Sequence, residues 1–294
     1  MTVYGVKVLS DILFPVDFRH GARTRGEVSL SSHVAPSLRS AVTCGFSLYR
    51  AHGRRVFLYS DRVFEDNVPG QPWCYEVQDT VRFYWRTGEA SVGYELLDEG
   101  TPDRLAFWFV HLFFPFYLTL ERRYEFLHAG AVAVDGKPIL FLAPSMGGKS
   151  TMTDFFIRRG HALVSDDKVA TFRENGRFTV AGSHPYHRPY REFETLGRRA
   201  ERFMTEFLPI HACYLLERVQ AEAAVSIGEV RGFHKVDAIL PHFLFRFPFL
   251  KEEHFRFLTS LLDDIRLFRI TVPGDLHRLG EVHDAVCAHS GEIR

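Results

Sequence analysis

The 294-residue chain has no excess of charge of either sign. Lys and Arg number 36 and Asp and Glu number 36, for a formal net charge of +0. Coating nucleic acid or an anionic membrane demands a cationic footprint, so neither is expected as a partner. Cysteine is scarce. Cys44, Cys74, Cys213 and Cys287 include no C-x-x-C pair, which excludes a zinc ribbon and a thioredoxin-type site, and the four read as reduced, mostly buried thiols. Long apolar runs are missing too. The most apolar stretch, 106–120, contains His111 and Pro115 and is shorter than the ~18–20 residues a membrane span needs. It reads as a buried helix. With no apolar segment at the N-terminus resembling a signal peptide, the expected location is cytoplasmic. There is no internal repeat and no low-complexity tract. At 46% apolar and 24% charged residues, wholesale disorder is excluded.

Phenylalanine is what the chain has in quantity, with 28 residues against 11 Tyr and 3 Trp, so the core is expected to be Phe-rich. The first hundred residues read as β-rich. Strands are expected over 4–9 and 56–59, and strict alternation marks two more over 81–86 and 92–96. Asn67-Val68-Pro69-Gly70 marks a loop. Thr101-Pro102-Asp103 carries the signature of a helix start, and Pro115 should kink or end that helix. From Phe126 the texture changes. Strands over 126–134 and 137–142 flank Asp135-Gly136, a hairpin signal. A glycine-rich turn over 143–148 follows, then a helix with Met152, Phe155 and Phe156 on one face and Gly160 at its end. Short strands over 162–165, 212–216 and 267–272 alternate with helical stripes at Phe255, Leu258, Leu261, Leu262 and Ile265, and at Leu276, Leu279, Val282 and Val286. This alternation indicates an α/β layered domain. The expected division is a β-rich α+β domain over 1–123, closed by the apolar helix, and an α/β domain over 124–294.

Chemistry concentrates in the second domain. Ala143-Pro144-Ser145-Met146-Gly147-Gly148-Lys149-Ser150 matches the phosphate-loop pattern G-x-x-x-x-G-K-[ST] except at Ala143. An apolar strand precedes it and an amphipathic helix follows. In such a loop backbone N–H groups and the positive helix end face phosphate oxygens, with Lys149 near the outer phosphates and Ser150 a Mg²⁺ ligand. Asp166-Asp167 follow the strand one helix later. Paired carboxylates there suit Mg²⁺ binding and acceptance of a hydroxyl proton; a turn with a cap is the structural alternative. His128, alone between Leu127 and Ala129, reads more readily as a satisfied core histidine than as a functional one. Arg188, Arg191, Arg198, Arg199 and Arg202 interleave with Glu192, Glu194 and Glu201. That pattern reads as a solvated helix with internal ion pairs, with Arg188 the candidate to reach a transferring phosphoryl group. His184 and His187 lack a third ligand for zinc. The Phe-rich run 243–249 reads as core packing, or as a peptide-docking groove.

The stretch 127–169, LHAGAVAVDGKPILFLAPSMGGKSTMTDFFIRRGHALVSDDKV, resembles the catalytic domain of HPr kinase/phosphorylase. It resembles still more the HPr-kinase-related serine kinases of peptide-tailoring gene clusters, the lasso-peptide type among them. The shared pattern is a histidine on a strand, the phosphate loop, a helix ending Arg159-Gly160-His161, and a strand ending Asp166-Asp167. The opening, Tyr4–Asp11, is similar to the start of those proteins. The resemblance implies a P-loop kinase domain of the HPr kinase / PEP-carboxykinase-like type, using ATP and Mg²⁺. Asp166 would take the proton from a serine hydroxyl and His128 would orient or tune Asp166. Asp167 and Ser150 would hold Mg²⁺. Ser145, Met146, Gly147, Gly148, Lys149, Ser150 and Thr151 would contact the nucleotide. The pattern departs at Ala143, a glycine in the family, and at Thr151, an acidic residue there. The signature of reverse phosphorolysis is absent, so a kinase without that activity is expected. Its acceptor would be a peptide or small protein. A small-molecule hydroxyl kinase and a nucleotide-binding regulator are the alternatives, and homo-oligomerisation stays open.

Overall fold

The computed structural model describes residues 1–14, 23–189 and 194–293. They form a mixed α/β protein of several sheets, divided by contacts into two compact units. The first comprises 1–123 with the segments 194–196 and Phe247–Phe249; the second comprises 124–189, Gly197–Arg246 and 250–293. No helix is long and apolar enough to cross a membrane.

The first unit is built on an eight-stranded sheet. Its strands are β1 (Thr2–Val3), β2 (Val6–Ser10), β3 (Glu27–Ser31), β4 (Cys44–Ala51), β5 (Arg54–Ser60), β6 (Pro72–Val77), β7 (Val81–Arg86) and β8 (Ser91–Leu96), in spatial order β1-β2-β3-β8-β7-β6-β5-β4. The segment expected as one strand over 4–9 is a hairpin instead. Tyr4 and Gly5 take φ of 52° and 68°, and Val3 pairs with Val6. Two positive φ values at the centre of a two-residue loop mark the turn whose twist matches its strands. After α1 (Pro36–Ala41), the apolar helix begins as α2 (Pro102–Trp108), capped by the Thr101 hydroxyl, which accepts the Arg104 N–H at 3.2 Å. It continues through Pro115 as a π-helical turn, Phe109–Phe113, and then α3 (Phe114–Leu120). Proline lacks the N–H that would close the preceding turn. Widening that turn lets the helix continue past the defect. Residues 105–120 are all buried. Phe113 stacks on Phe83 with ring centroids 4.1 Å apart, so the excess of phenylalanine does go to the core. Phe247 and Phe249 pack against Phe64 in this same unit.

The second unit has two sheets. β10 (Ala129–Val134), β11 (Lys137–Leu142), β12 (Ala162–Ser165), β18 (Ala212–Val219), β19 (Ile227–Glu229) and β20 (Leu267–Pro273) form one, in the order β12-β10-β11-β18-β20-β19. β9 (Glu125–Leu127), β13 (Val169–Glu174), β14 (Arg177–Ala181) and β17 (Leu208–Pro209) form the other, in the order β17-β14-β13-β9. A short ribbon pairs β15 (Tyr186–His187) with β16 (Arg198–Arg199). The helices are α4 (Lys149–Arg158), α5 (His234–Ile239), α6 (Lys251–Asp264) and α7 (Leu279–Glu292).

The six-stranded sheet is buried on both faces. Val132, Val134, Ile139 and Phe141 pack with Met152 and Phe156 of α4 and Val282 and Val286 of α7. Ala131, Ala133, Leu140 and Leu142 face the other way, with Phe178 and Val180 of the second sheet and Leu258 and Leu261 of α6. Strands covered on both sides read as continuous apolar runs, as 137–142 does. Gly130 lets α4 lie close, because a Cβ there would stand 2.0 Å from the Thr153 hydroxyl. Two expected apolar contacts are corrected. Phe255 and Leu276 are exposed. Leu276 lies in a 3₁₀ turn before α7, so the stripe of the last helix begins only at Leu279.

Candidate active site

The expected strand 126–134 is broken at His128, and the break builds the site. β9 runs in the four-stranded sheet and β10 in the six-stranded one. Beside them, β13 and β12 make the same change of sheet. Leu127 pairs with Val169 on one side of the break and Ala131 with Ser165 on the other. Between these pairs the ladder opens over 128–130 and 166–168. A strand that leaves one sheet for another loses its neighbour locally, and its freed side chains and backbone groups must find other partners. His128 and the Asp166-Asp167-Lys168 run occupy that opening.

The turn over 166–168 is tight. The Lys168 N–H donates to the Asp166 carbonyl at 2.9 Å across Asp167, whose φ is 71°. This is a γ-turn of the positive-φ hand, which is rare and strained for a residue with a side chain. The buried Ser165 hydroxyl, donating to the Lys168 carbonyl, ties the turn off. Strain held at one carboxylate points to a functional constraint on its direction.

The two acids are made unlike by their partners. Asp167 turns one oxygen to His128 Nε2 at 3.0 Å and the other to Lys168 Nζ at 2.6 Å. Burial pushes its pKa up, but the Lys168 ammonium and the His128 hydrogen bond outweigh this and hold it well below the ordinary carboxylate value. Asp166 is only 4% exposed. Burial raises its pKa to about 6, the Arg188 backbone N–H at 2.7 Å opposes the rise, and the charge of Asp167 adds to it. Adjacent carboxyls with pKa values forced apart fall into two roles, one ionised throughout the neutral range and one able to take up a proton near neutrality. The partner of His128 is therefore Asp167. The orientation of Asp166 expected from His128 is supplied instead by Arg188.

The loop after β11 joins this group through a residue that the sequence did not single out. The carbonyl of His242 accepts the His128 N–H at 2.7 Å. Burial pushes the His242 imidazole down to about 4, and the nearby charges of Lys149 and His128 add to the shift. His242 thus contacts His128 through its backbone, and its ring feels the charge of Lys149. Its signal is only its place before the Phe-rich run.

Lys149 is buried and starts α4. Its ammonium donates to the carbonyls of Ala143 at 2.6 Å and Pro144 at 3.1 Å. Gly148 precedes the helix with φ of 93°, a conformation glycine adopts without a Cβ penalty. Ala143 is buried and is not among the residues of positive φ. Its backbone does not need glycine, so the departure from the phosphate-loop pattern costs no strain. Ala143 also defines why Gly147 is glycine, since a Cβ at 147 would meet that of Ala143 at 2.7 Å. Ser145 and Met146 form the exposed tip, with Met146 79% exposed at φ of 67°. Ser150 and Thr151 lie in the first turn of α4, the end where the helix dipole favours anions.

The arginine segment is not the expected helix among its described residues. Tyr186–His187 pairs with Arg198–Arg199 as an antiparallel ribbon. Pro185, Pro189 and Gly197 explain this, because proline and glycine oppose a helix interior. Glu194 belongs to the first unit, where it binds Arg54 and Arg104 and accepts the Trp108 indole N–H at 2.7 Å. It pairs with neither Arg198 nor Arg199. Arg191 and Glu192 lie outside the described residues. His184 is fully buried, and burial followed by the charges of Arg188 and Lys168 depresses its pKa to about 3. Its Nδ1 accepts the Tyr186 N–H at 3.3 Å, which gives it a structural rather than a metal-binding task.

Of the residues expected to hold a hard divalent cation, Ser150 offers a hydroxyl and Asp167 a carboxylate. A carboxylate has about four lone-pair sites, and His128 and Lys168 engage two of those of Asp167. Oxygen-only donors that leave most positions to water or phosphate fit Mg²⁺.

No family model and no curated protein matches the chain. A solved structure of the Hpr(Ser) kinase/phosphatase from Coxiella burnetii is similar to it at 14% sequence identity and a TM-score of 0.36, over 57% of this chain and 97% of that one.

Proposed function

We propose that the protein is an ATP- and Mg²⁺-dependent kinase that transfers the γ-phosphoryl group to a serine hydroxyl of a peptide or small protein. The observation that carries this reading is the opened ladder, where an ionised Asp167 and a proton-accepting Asp166 stand across from His128. His128 in turn donates its backbone N–H to the carbonyl of His242, whose imidazole feels the charge of the loop lysine. Phosphoryl transfer asks little covalent chemistry of the protein; it asks for positioning and charge stabilisation.

In this mechanism the N–H groups of 145–151 and the end of α4 receive the phosphates. Lys149 exchanges its carbonyl partners at Ala143 and Pro144 for phosphate oxygens. Ser150 and Asp167 hold Mg²⁺, which supplies neutralisation of the phosphate charge. His128 and Lys168 fix the direction of Asp167. Asp166 receives the proton of the acceptor hydroxyl, and its raised pKa gives it a proton affinity suited to pH 6–8. Arg188 holds Asp166 through its backbone N–H, so its part is positioning.

The test is incubation of the protein with ATP, Mg²⁺ and serine-containing peptides, including those encoded beside its gene. The expected product is a peptide heavier by one phosphoryl group, with the phosphate mapped to serine. ATP turnover onto small alcohols alone, or nucleotide binding without turnover on any acceptor, overturns the peptide-kinase reading.

A further inference from the structure

Away from the acid cluster, the second unit brings three further chemistry-bearing side chains together. His161 follows α4, while His283 and Cys287 stand on α7, and their ligand atoms all lie within 4.8 Å of one another. Two local devices produce this. Residues four apart share a helix face, which aligns His283 with Cys287. At the end of α4, Gly160 has φ of 92°, the Gly160 N–H donates to the Ile157 carbonyl at 2.9 Å, and the His161 N–H to the Phe156 carbonyl at 3.2 Å. That closing motif turns the chain so that His161 meets α7.

The distances are those of a coordination polyhedron. His161 Nε2 and His283 Nε2 are 3.0 Å apart, and Cys287 Sγ is 3.6 Å from His283 Nε2 and 3.9 Å from His161 Nε2. Tetrahedral zinc, with Zn–N of about 2.0–2.1 Å and Zn–S of about 2.3 Å, sets N···N near ~3.4 Å and N···S near ~3.6 Å. The observed triangle agrees to within about 0.4 Å.

The proton count supports a cation. His283 turns Nδ1 to the Asp284 carboxylate at 2.8 Å. In its neutral form His283 then carries its proton on Nδ1 and turns an Nε2 lone pair toward the cluster, with His161 Nε2 3.0 Å away. That lone pair suits a metal ion, and the outer hydrogen bond of His283 to a carboxylate is the support that ligating histidines ordinarily have. The Asp135 carboxylate acts on both His161 and Cys287. Arg202, whose charge opposes a cation here, is engaged by the Gly160 carbonyl at 3.1 Å.

We propose that His161, His283 and Cys287 form a site for a divalent transition metal of the zinc type, with water at the fourth position. Thiolate plus imidazole donors select zinc over Mg²⁺. On binding, the Cys287 thiol releases its proton to solvent and the sulfur bonds the metal as thiolate. The site is separate from the acid cluster. α4 starts at Lys149, and its ten residues span ~15 Å, so the metal pins the far end of that helix to α7. It acts as a structural clamp on the element that carries the phosphate loop.

The test is titration of the tag-free, metal-stripped full chain with Co²⁺, followed by Zn²⁺. One equivalent of Co²⁺ is expected to give a thiolate-to-cobalt charge-transfer band and intense tetrahedral d–d bands, both bleached by Zn²⁺. Asp284→Asn is expected to weaken the affinity ~10–100-fold while keeping the bands, and Cys287→Ser to lose the charge-transfer band. A second measurement needs no variant: Zn²⁺ is expected to protect Cys287 from alkylation while Cys44 continues to react. Absence of the cobalt bands in the unaltered chain, persistence of the charge-transfer band in folded Cys287→Ser, or Zn²⁺-independent alkylation of Cys287 overturns the proposal.

Discussion

Replacing Asp166 by Asn should stabilise the protein near neutral pH while abolishing catalysis. Burial raises the Asp166 pKa from an ordinary 3.8 to about 6. The native state therefore holds this proton more tightly than the unfolded chain does. Stability falls as pH rises from about 3.8 to about 6, because native protons must be released across that window. Above it, the buried charge leaves the fold weaker by about 3 kcal/mol than with a neutral group, since each pKa unit is worth about 1.4 kcal/mol. Asp166 is only 4% exposed, so solvent screens little of this. Asn keeps the shape and the acceptor for the Arg188 N–H but never ionises. In nucleotide-free, Mg²⁺-free protein, urea unfolding at pH 4, 6 and 8 should give variant-minus-wild-type differences rising from near zero toward about 3 kcal/mol. Phosphoryl transfer should fall ~100-fold or more at every pH, from loss of the base. A stability difference equal at pH 4 and pH 8 would refute the argument, because it would place the effect in packing rather than in the buried charge.

Other substitutions test the remaining parts. Lys149→Ala should lower phosphoryl transfer ~100–1,000-fold, the cost of one preorganised charge donor, and steady-state kinetics reads it. His128→Ala removes a hydrogen bond to an ionised Asp167 and should cost ~1.5–3 kcal/mol at neutral pH, shrinking in acid as Asp167 takes its proton; denaturation at two pH values checks this. Ala143→Gly should destabilise by ~0.5–1 kcal/mol without improving nucleotide affinity, since the backbone there does not need glycine; titration calorimetry and thermal unfolding measure the pair. Gly130→Ala drives a methyl group into Thr153 and should cost ~1–3 kcal/mol by pushing β10 off α4, read by unfolding and by faster amide exchange in α4.

What the sequence made legible was local. The Asp135-Gly136 hairpin, the cap at Thr101, the glycine that ends α4 and the loop around Lys149 each depend on residues a few positions apart, and each stands in the structure. The change of sheet at His128 was not legible. An apolar run over 126–134 looks the same whether it stays in one sheet or crosses to another, because the crossing is set by packing against β12 and β13 forty residues on. The resemblance implies that His128 orients or tunes Asp166, whereas the structure pairs it with Asp167. The arginine segment misled because alternating charges resemble a solvated helix, while two prolines and a glycine in it direct the ribbon. His283 and Cys287 stand at helical spacing, but nothing in the sequence marks His161 as their neighbour.

Equilibrium titration with ATP, in the presence and absence of Mg²⁺, tests the central claim most directly. The account predicts saturable one-to-one binding to the unaltered chain, tightened by Mg²⁺ and lost in Lys149→Ala. Absence of saturable binding, or undiminished affinity in Lys149→Ala, would contradict it.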